Sequence, residues 1–154
     1  MKIIITESQK NLLFENSVKD DLIQAIKDDG FKSVSELVGG SKNLMKLLKI
    51  DTPMDFLNLF NDLDVVQSKE IPEYTLFRYN PNHNLMVYNR SDEVAYANHY
   101  DVYVNYDDIW SVLQDDFGLN YYDIRELIKV WLDEVYNLRG VTPKRQINAV
   151  FNVG

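Results

Sequence analysis

The amino-acid sequence predicts an α+β fold. Three observations carry this expectation. Apolar residues recur with helical spacing over residues 1–63 and again from 107 onward. Between them the period drops to two, with β-branched and aromatic residues predominating. The order is therefore segregated, helices then strands then helices, which differs from the strand–helix alternation of a doubly wound sheet.

The elements follow in order. Ile3, Ile4 and Ile5 form a short apolar run suited to a strand or a core plug. Thr6 with Gln9 has capping-box spacing and opens a short helix through Phe14. Ser17 with Asp20 repeats that signal, and Val18, Leu22, Ala25 and Ile26 make one helical stripe that Gly30 ends. Ser33 with Glu36 predicts a helix over 34–38, broken by Gly39-Gly40. Ser41 opens the next, apolar on more than one side through Leu44, Met45, Leu47, Leu48 and Ile50. Thr52-Pro53 combines a cap with a first-turn proline, and Phe56, Phe60 and Leu63 form that helix's stripe.

Strands are predicted at 65–66, 73–79, 85–88, 93–96 and 101–106. Residues 80–84 (NPNHN) read as a hairpin loop and 89–92 as a second turn, giving a central antiparallel β-meander of three to five strands. Parallel pairing needs crossovers of about a dozen residues, and these connections leave no room for them. Asp107 or Asp108 then caps a helix carrying Ile109, Val112 and Leu113, which Gly118 ends. Asn120 with Asp123 starts a last helix whose Ile124, Leu127, Ile128, Trp131, Val135 and Leu138 form one stripe. Arg139-Gly140 closes it, Thr142-Pro143 marks an exit, and residues 144–154 read as a tail. One domain over 1–143 is expected.

Composition narrows the function. The 154 residues hold no Cys and two His, which excludes disulfides, thiolate metal sites and cysteine nucleophiles. No apolar run nears the roughly 18 residues that cross a bilayer, and the opening nonapeptide is too short for a signal peptide. The net charge is −8, and residues 51–110 carry the imbalance, with three basic residues (Lys69, Arg78, Arg90) against eleven acidic ones. Such a chain is repelled by nucleic acid and by anionic membranes, so neither is an expected partner.

Motifs for chemistry are sparse. The acid pairs Asp62/Asp64, Asp107/Asp108 and Asp115/Asp116 lack the alternating ligands and central Gly of a calcium loop. His83 and His99 lie far apart in different connections. No nucleophile elbow, phosphate loop or metalloprotease motif occurs, so no catalytic residue, cofactor or metal site is assigned. Residues 31–50 have helix–Gly turn–helix form, and as a DNA-binding motif would read bases with Lys42, Asn43, Lys46 and Lys49, although the polar face is narrow. Tyrosines punctuate the strands. Tyr96, Tyr100, Tyr103 and Tyr106 combine an apolar ring with a polar tip, a residue type favoured at interfaces. With no Lys or Arg between them, they do not read as a nucleic-acid platform. The expected contact surface is therefore Asp62, Asp64, Asp92, Glu93, Asp101, Asp107 and Asp108 with these four tyrosines. It suits a protein partner with a basic surface.

The segments MKIIITESQ, DTPMDFLNLFNDLDVVQS, YTLFRY, NLMVYNR and VNYDDIWSVLQDDFGLNYYDIRELIKVWLDEVYNLRGVTP resemble uncharacterised proteins of tailed bacteriophages and environmental viruses. The likeness covers most of residues 51–143, with extra residues here around Ala97–Tyr100. It implies a viral gene expressed in a bacterial host cytoplasm, and brings no fold, activity or site residues. The roles it leaves open are an accessory or host-takeover factor inhibiting a host nucleic-acid-binding or defence enzyme, a DNA-binding regulator, and a minor virion component.

Overall fold

A computed structural model describes residues 7–70, 72, 74–80, 83–90 and 100–146, with the side chains of 7–17 and of 80, 83–85, 87, 89, 90 and 100 outside that description. Helix and strand are both present and segregated, an α+β arrangement. The chain divides into two compact units, residues 1–51 and 52–154. The predicted strand at 93–96 and the apolar run 3–5 lie outside the described residues.

The first unit is helical. α1 (Glu7–Asp29) is one helix, not two. No Gly or Pro interrupts residues 7–29. Extending a formed helix through Ser17 costs far less than nucleating a second one, so the start signal there is overridden. Gly30, at φ 95°, ends α1 through its N–H to the Ile26 carbonyl (2.8 Å) and also precedes α2 (Phe31–Leu37). α2 begins earlier than its Ser33/Glu36 signal because Phe31 is buried and becomes its first residue. Ser35, also buried, donates its hydroxyl back to the Phe31 carbonyl at 2.8 Å. Gly39 and Gly40 have φ of 91° and 123°, a backbone only glycine adopts cheaply, and turn the chain into α3 (Ser41–Leu48). The three helices pack on one another over Ile26, Phe31, Val34, Leu44, Met45 and Leu48.

The second unit opens as its sequence predicts. Thr52 caps α4 (Pro53–Leu57) in a complete capping box with Asp55, both bonds 3.1 Å. A 3₁₀ turn, Asn58–Phe60, follows. Phe56, Phe60 and Leu63 are all buried. The strands are β1 (Asp64–Gln67), β2 (Tyr74–Asn80), β3 (His83–Arg90), β4 (Tyr100–Asn105) and β5 (Val141–Gln146), in sheet order β1-β2-β3-β4-β5. Neighbours from β1 to β4 are antiparallel. Asn80 pairs with His83, so His83 belongs to a strand and the expected five-residue loop shrinks.

β5 was not expected. Residues 141–146 read as an exit and a tail, yet they pair in parallel with β4, Tyr103 opposite Lys144 and Val104 opposite Arg145. Residues 106–140 provide the long crossover that parallel pairing requires. Pro143 is tolerated because β5 is an edge strand.

That crossover holds two π-type helical turns, Tyr106–Trp110 and Val112–Asp116, and then α5 (Tyr121–Tyr136). Asn120 caps α5 through the Asp123 N–H at 2.8 Å. Ile124, Ile128, Trp131 and Leu132 are buried. Each such side chain contributes about 1.5–3 kcal/mol on burial.

Aromatic polar tips fix the turn at 58–63. Trp131 Nε1 donates to Asn61 Oδ1 at 2.7 Å, the Tyr79 hydroxyl to the Leu59 carbonyl at 2.9 Å, and the Tyr136 hydroxyl to the Phe60 carbonyl. Tyr136 Oη also accepts from the Leu63 N–H at 3.3 Å. Burial, and after it the Asp62 carboxylate, pushes the Tyr79 hydroxyl well above its ordinary range. Burial pushes Tyr136 up to about 12, with Asp62 adding to the rise and the Leu63 N–H opposing it. Both rings stay neutral donors while the turn is intact.

Candidate interaction surface

The expected acidic belt does not assemble among the described residues. Asp101 is only 9% exposed on β4, and its Oδ2 lies 3.3 Å from Lys144 Nζ on β5. The register explains the pair, since Asp101 sits opposite Thr142 and Lys144 is two residues on, along the same face. Asp108 is buried. Asp107 is exposed in the first helical turn, but neither Asp107 nor Asp108 is the cap. Asn105 is, its Oδ1 accepting from the Asp107 N–H at 2.9 Å and the Asp108 N–H at 3.3 Å. Asn105 stands just before the first turn, where its side-chain oxygen reaches the free N–H groups that an aspartate inside the turn cannot cap.

Asp62 and Asp64 are exposed at the opposite side of the sheet. Asp64 begins edge strand β1, three strands from β4. At about 4.8 Å per strand, that is roughly 14 Å from the Asp101 strand. Asp62 is near enough to Tyr79 and Tyr136 for its charge to raise both hydroxyls. Asp92, Glu93 and Tyr96 lie outside the described residues, as does the Tyr100 side chain.

The tyrosines fare differently. Tyr103 and Tyr106 are half-buried, and β5 brings a cation to each ring. Lys144 Nζ is 5.9 Å from the Tyr103 centroid. The Arg145 guanidinium carbon is 5.8 Å from the Tyr106 centroid and 6.0 Å from that of Tyr121. Consecutive strand residues point to opposite faces, so Lys144 and Arg145 serve two separate clusters. One is Asp101, Tyr103 and Lys144. The other gathers Tyr106, Tyr121, Arg145, Arg125 and Trp110.

This second cluster is the more open. Tyr121, the first residue of α5, is 47% exposed and its neighbour Tyr122 67%. Arg125, one turn along α5, places its guanidinium carbon 5.8 Å from the Tyr121 centroid, the i, i+4 geometry of a helix. Beneath them Trp110 is fully buried, its ring 5.0 Å from that of Tyr121. Such cation–ring contacts are each worth about 0.5–1 kcal/mol at exposed sites. The view that no cation lies between the tyrosine rings holds along the chain and fails in space.

Tyr121 and Arg125 could have been found in the sequence, since an exposed-type Tyr-Tyr pair after a cap with Arg four residues later marks one helix face. Arg145 could not, because only the parallel pairing of β5 brings it there.

The helical alternative finds mixed ground. Lys42, Asn43, Lys46 and Lys49 are all exposed on α3 or at its C-cap. Asn43, however, donates its amide to the Val38 carbonyl and so braces the Gly39-Gly40 turn. Lys49 is the left-handed C-cap, at φ 59°. Among the described residues, no group of three or more His, Cys, Asp and Glu converges as a metal site. No helix there is long and apolar enough to cross a membrane. No known protein-family model, curated protein or solved structure matches the chain.

Proposed function

We propose that the protein acts by binding another protein, not by catalysis, through the face formed by Tyr106, Tyr121, Tyr122 and Arg145. One observation carries this reading. Rings from the β4 end and the α5 start meet around a β5 arginine, with about half of Tyr121 and two-thirds of Tyr122 open to solvent. Tyrosine and arginine are the residue types enriched at the energetic centre of protein interfaces. Large rings with few rotors bury area at small entropic cost.

This keeps the tyrosine half of the sequence expectation and moves the charge. A basic partner held by a carboxylate belt loses its support, because Asp101 is spent on Lys144 and Asp108 is buried. The resemblance of residues 51–143 to phage proteins supports an accessory role in a bacterial host, with inhibition of a host enzyme as one form of it.

The test is affinity capture from infected or host cells with the full chain and with Tyr106→Ala/Tyr121→Ala. A specific protein retained by the first and lost by the second supports the reading. Equal capture by both refutes it. A partner lost only on Asp62→Lys/Asp64→Lys restores the acidic surface instead.

A further inference from the structure

Resting on that binding face, we infer that its anchor is a carboxylate of the partner, seated beside Tyr121 between Arg125 and Arg145. The protein carries 24 acidic residues against 16 basic ones, so arginines have ample choice of partners. Arg139 takes Asp133 at 3.3 Å and Lys144 takes Asp101. Arg125 and Arg145 behave otherwise. Among the described residues neither has a carboxylate partner, and both contact the same tyrosine ring.

Two further donors lie unmet at this ring. Trp110 Nε1 and Arg125 Nε are buried, and among the described residues no acceptor reaches either. A buried donor without an acceptor lowers stability. Two guanidinia and an indole N–H around one half-exposed ring therefore present donors and positive charge with no carboxylate, among the described residues, in salt-bridge contact with either arginine. An oxyanion completes them, Arg being built for the two oxygens of a carboxylate. Tyr121 covers the indole and is open enough to give way.

The neighbourhood selects the kind of anion. Exposed Asp107 and Asp123 flank the cluster in the first turns of their helices. They repel a polyphosphate chain strongly and a single carboxylate weakly, which favours an acidic side chain over nucleic acid.

The indole N–H resonances read this directly. The chain has two tryptophans, and Trp131 is already bonded to Asn61, so it serves as an internal reference. The ¹⁵N-labelled full chain is titrated with sodium acetate, sodium phosphate and sodium chloride at matched ionic strength. Acetate is expected to move the Trp110 indole and Arg125 Nε–H signals saturably while Trp131 stays still. Arg145→Ala should weaken that response by about tenfold, and Arg145→Lys by less. A Trp131 signal unchanged in both variants shows that they fold.

Three results overturn the inference. They are no saturable acetate shift, a shift that survives in Arg145→Ala, and a response to phosphate at about tenfold lower concentration than to acetate, which assigns the site to a phosphate group. Failure here with capture still dependent on Tyr106 and Tyr121 removes only the carboxylate anchor. Loss of that dependence removes the binding face itself.

Discussion

Residues 18–51 and 52–146 are held together by different means. In the first unit, helices follow one another across glycine turns, and the core is aliphatic apart from Phe31. Its polar ties are local, such as Ser35 to Phe31 and Asn43 to Val38. In the second, bonds span long stretches of chain. Trp131 reaches Asn61 and Tyr136 reaches Phe60, across separations of 70 and 76 residues. Rings do both tasks there, since Tyr136 packs edge-on against Phe77 (5.2 Å) and Trp131 (5.4 Å) while its hydroxyl holds the turn. The contrast teaches that aromatic residues with polar tips let a sheet and a distant helix share one ordered turn, a task aliphatic packing cannot perform because it lacks direction.

Replacing Trp131 by Ala attacks the aromatic side of that contrast most severely. It should cost about 3–5 kcal/mol, from the emptied volume and the abandoned Asn61. Urea unfolding measures the loss, and hydrogen exchange should place it in the sheet and α5. Trp131→Phe, keeping most of the ring, should cost less than half of this.

Alkaline pH attacks the tyrosine hydroxyls of that turn. Tyr136 has a folded value of about 12 against an ordinary 10.0, so the unfolded chain loses its proton first. The stability from this group is full below pH 10 and falls as pH rises from about 10 to about 12. A thermal midpoint that declines over this window, and declines less in Tyr136→Phe, is the expected outcome.

The glycine turn of the first unit is sharpened by Gly40→Ala. At φ 123° an added Cβ meets nothing within 4 Å, so the cost is backbone strain alone, about 1–2 kcal/mol. Denaturant titration against Gly39→Ala would show similar losses, since both positions share a left-handed φ.

The smallest effect compares the units directly. α3 and α5 each end on a left-handed non-glycine residue, Lys49 at φ 59° and Asn137 at φ 56°. Asparagine tolerates that conformation better than lysine does. Lys49→Gly should therefore stabilise by about 0.5–1 kcal/mol and Asn137→Gly by less, read as shifts in midpoint.

What was legible follows the range of the interaction involved. Thr52 with Pro53 and Asn120 with Asp123 were readable because a cap is settled within four residues. Ser17 and Ser33 carried comparable signals and failed, one to helix propagation and the other to the burial of Phe31. Tyr103 and Tyr106 were named from the sequence, whereas the Lys144 beside nearly buried Asp101 was not, because it arrives from a distant strand.

By itself, the sequence determined the helical and strand periods, the α+β segregation, the local caps and the absence of cysteine chemistry, all of which depend on neighbours a few residues away. Only the tertiary structure decided that residues 141–146 join the sheet, that Lys144 pairs with Asp101, and that Arg145 comes to the Tyr121 ring that Arg125 also approaches. Those outcomes require a crossover of residues 106–140 to bring distant chain together, and no periodicity records where a strand will find its partner.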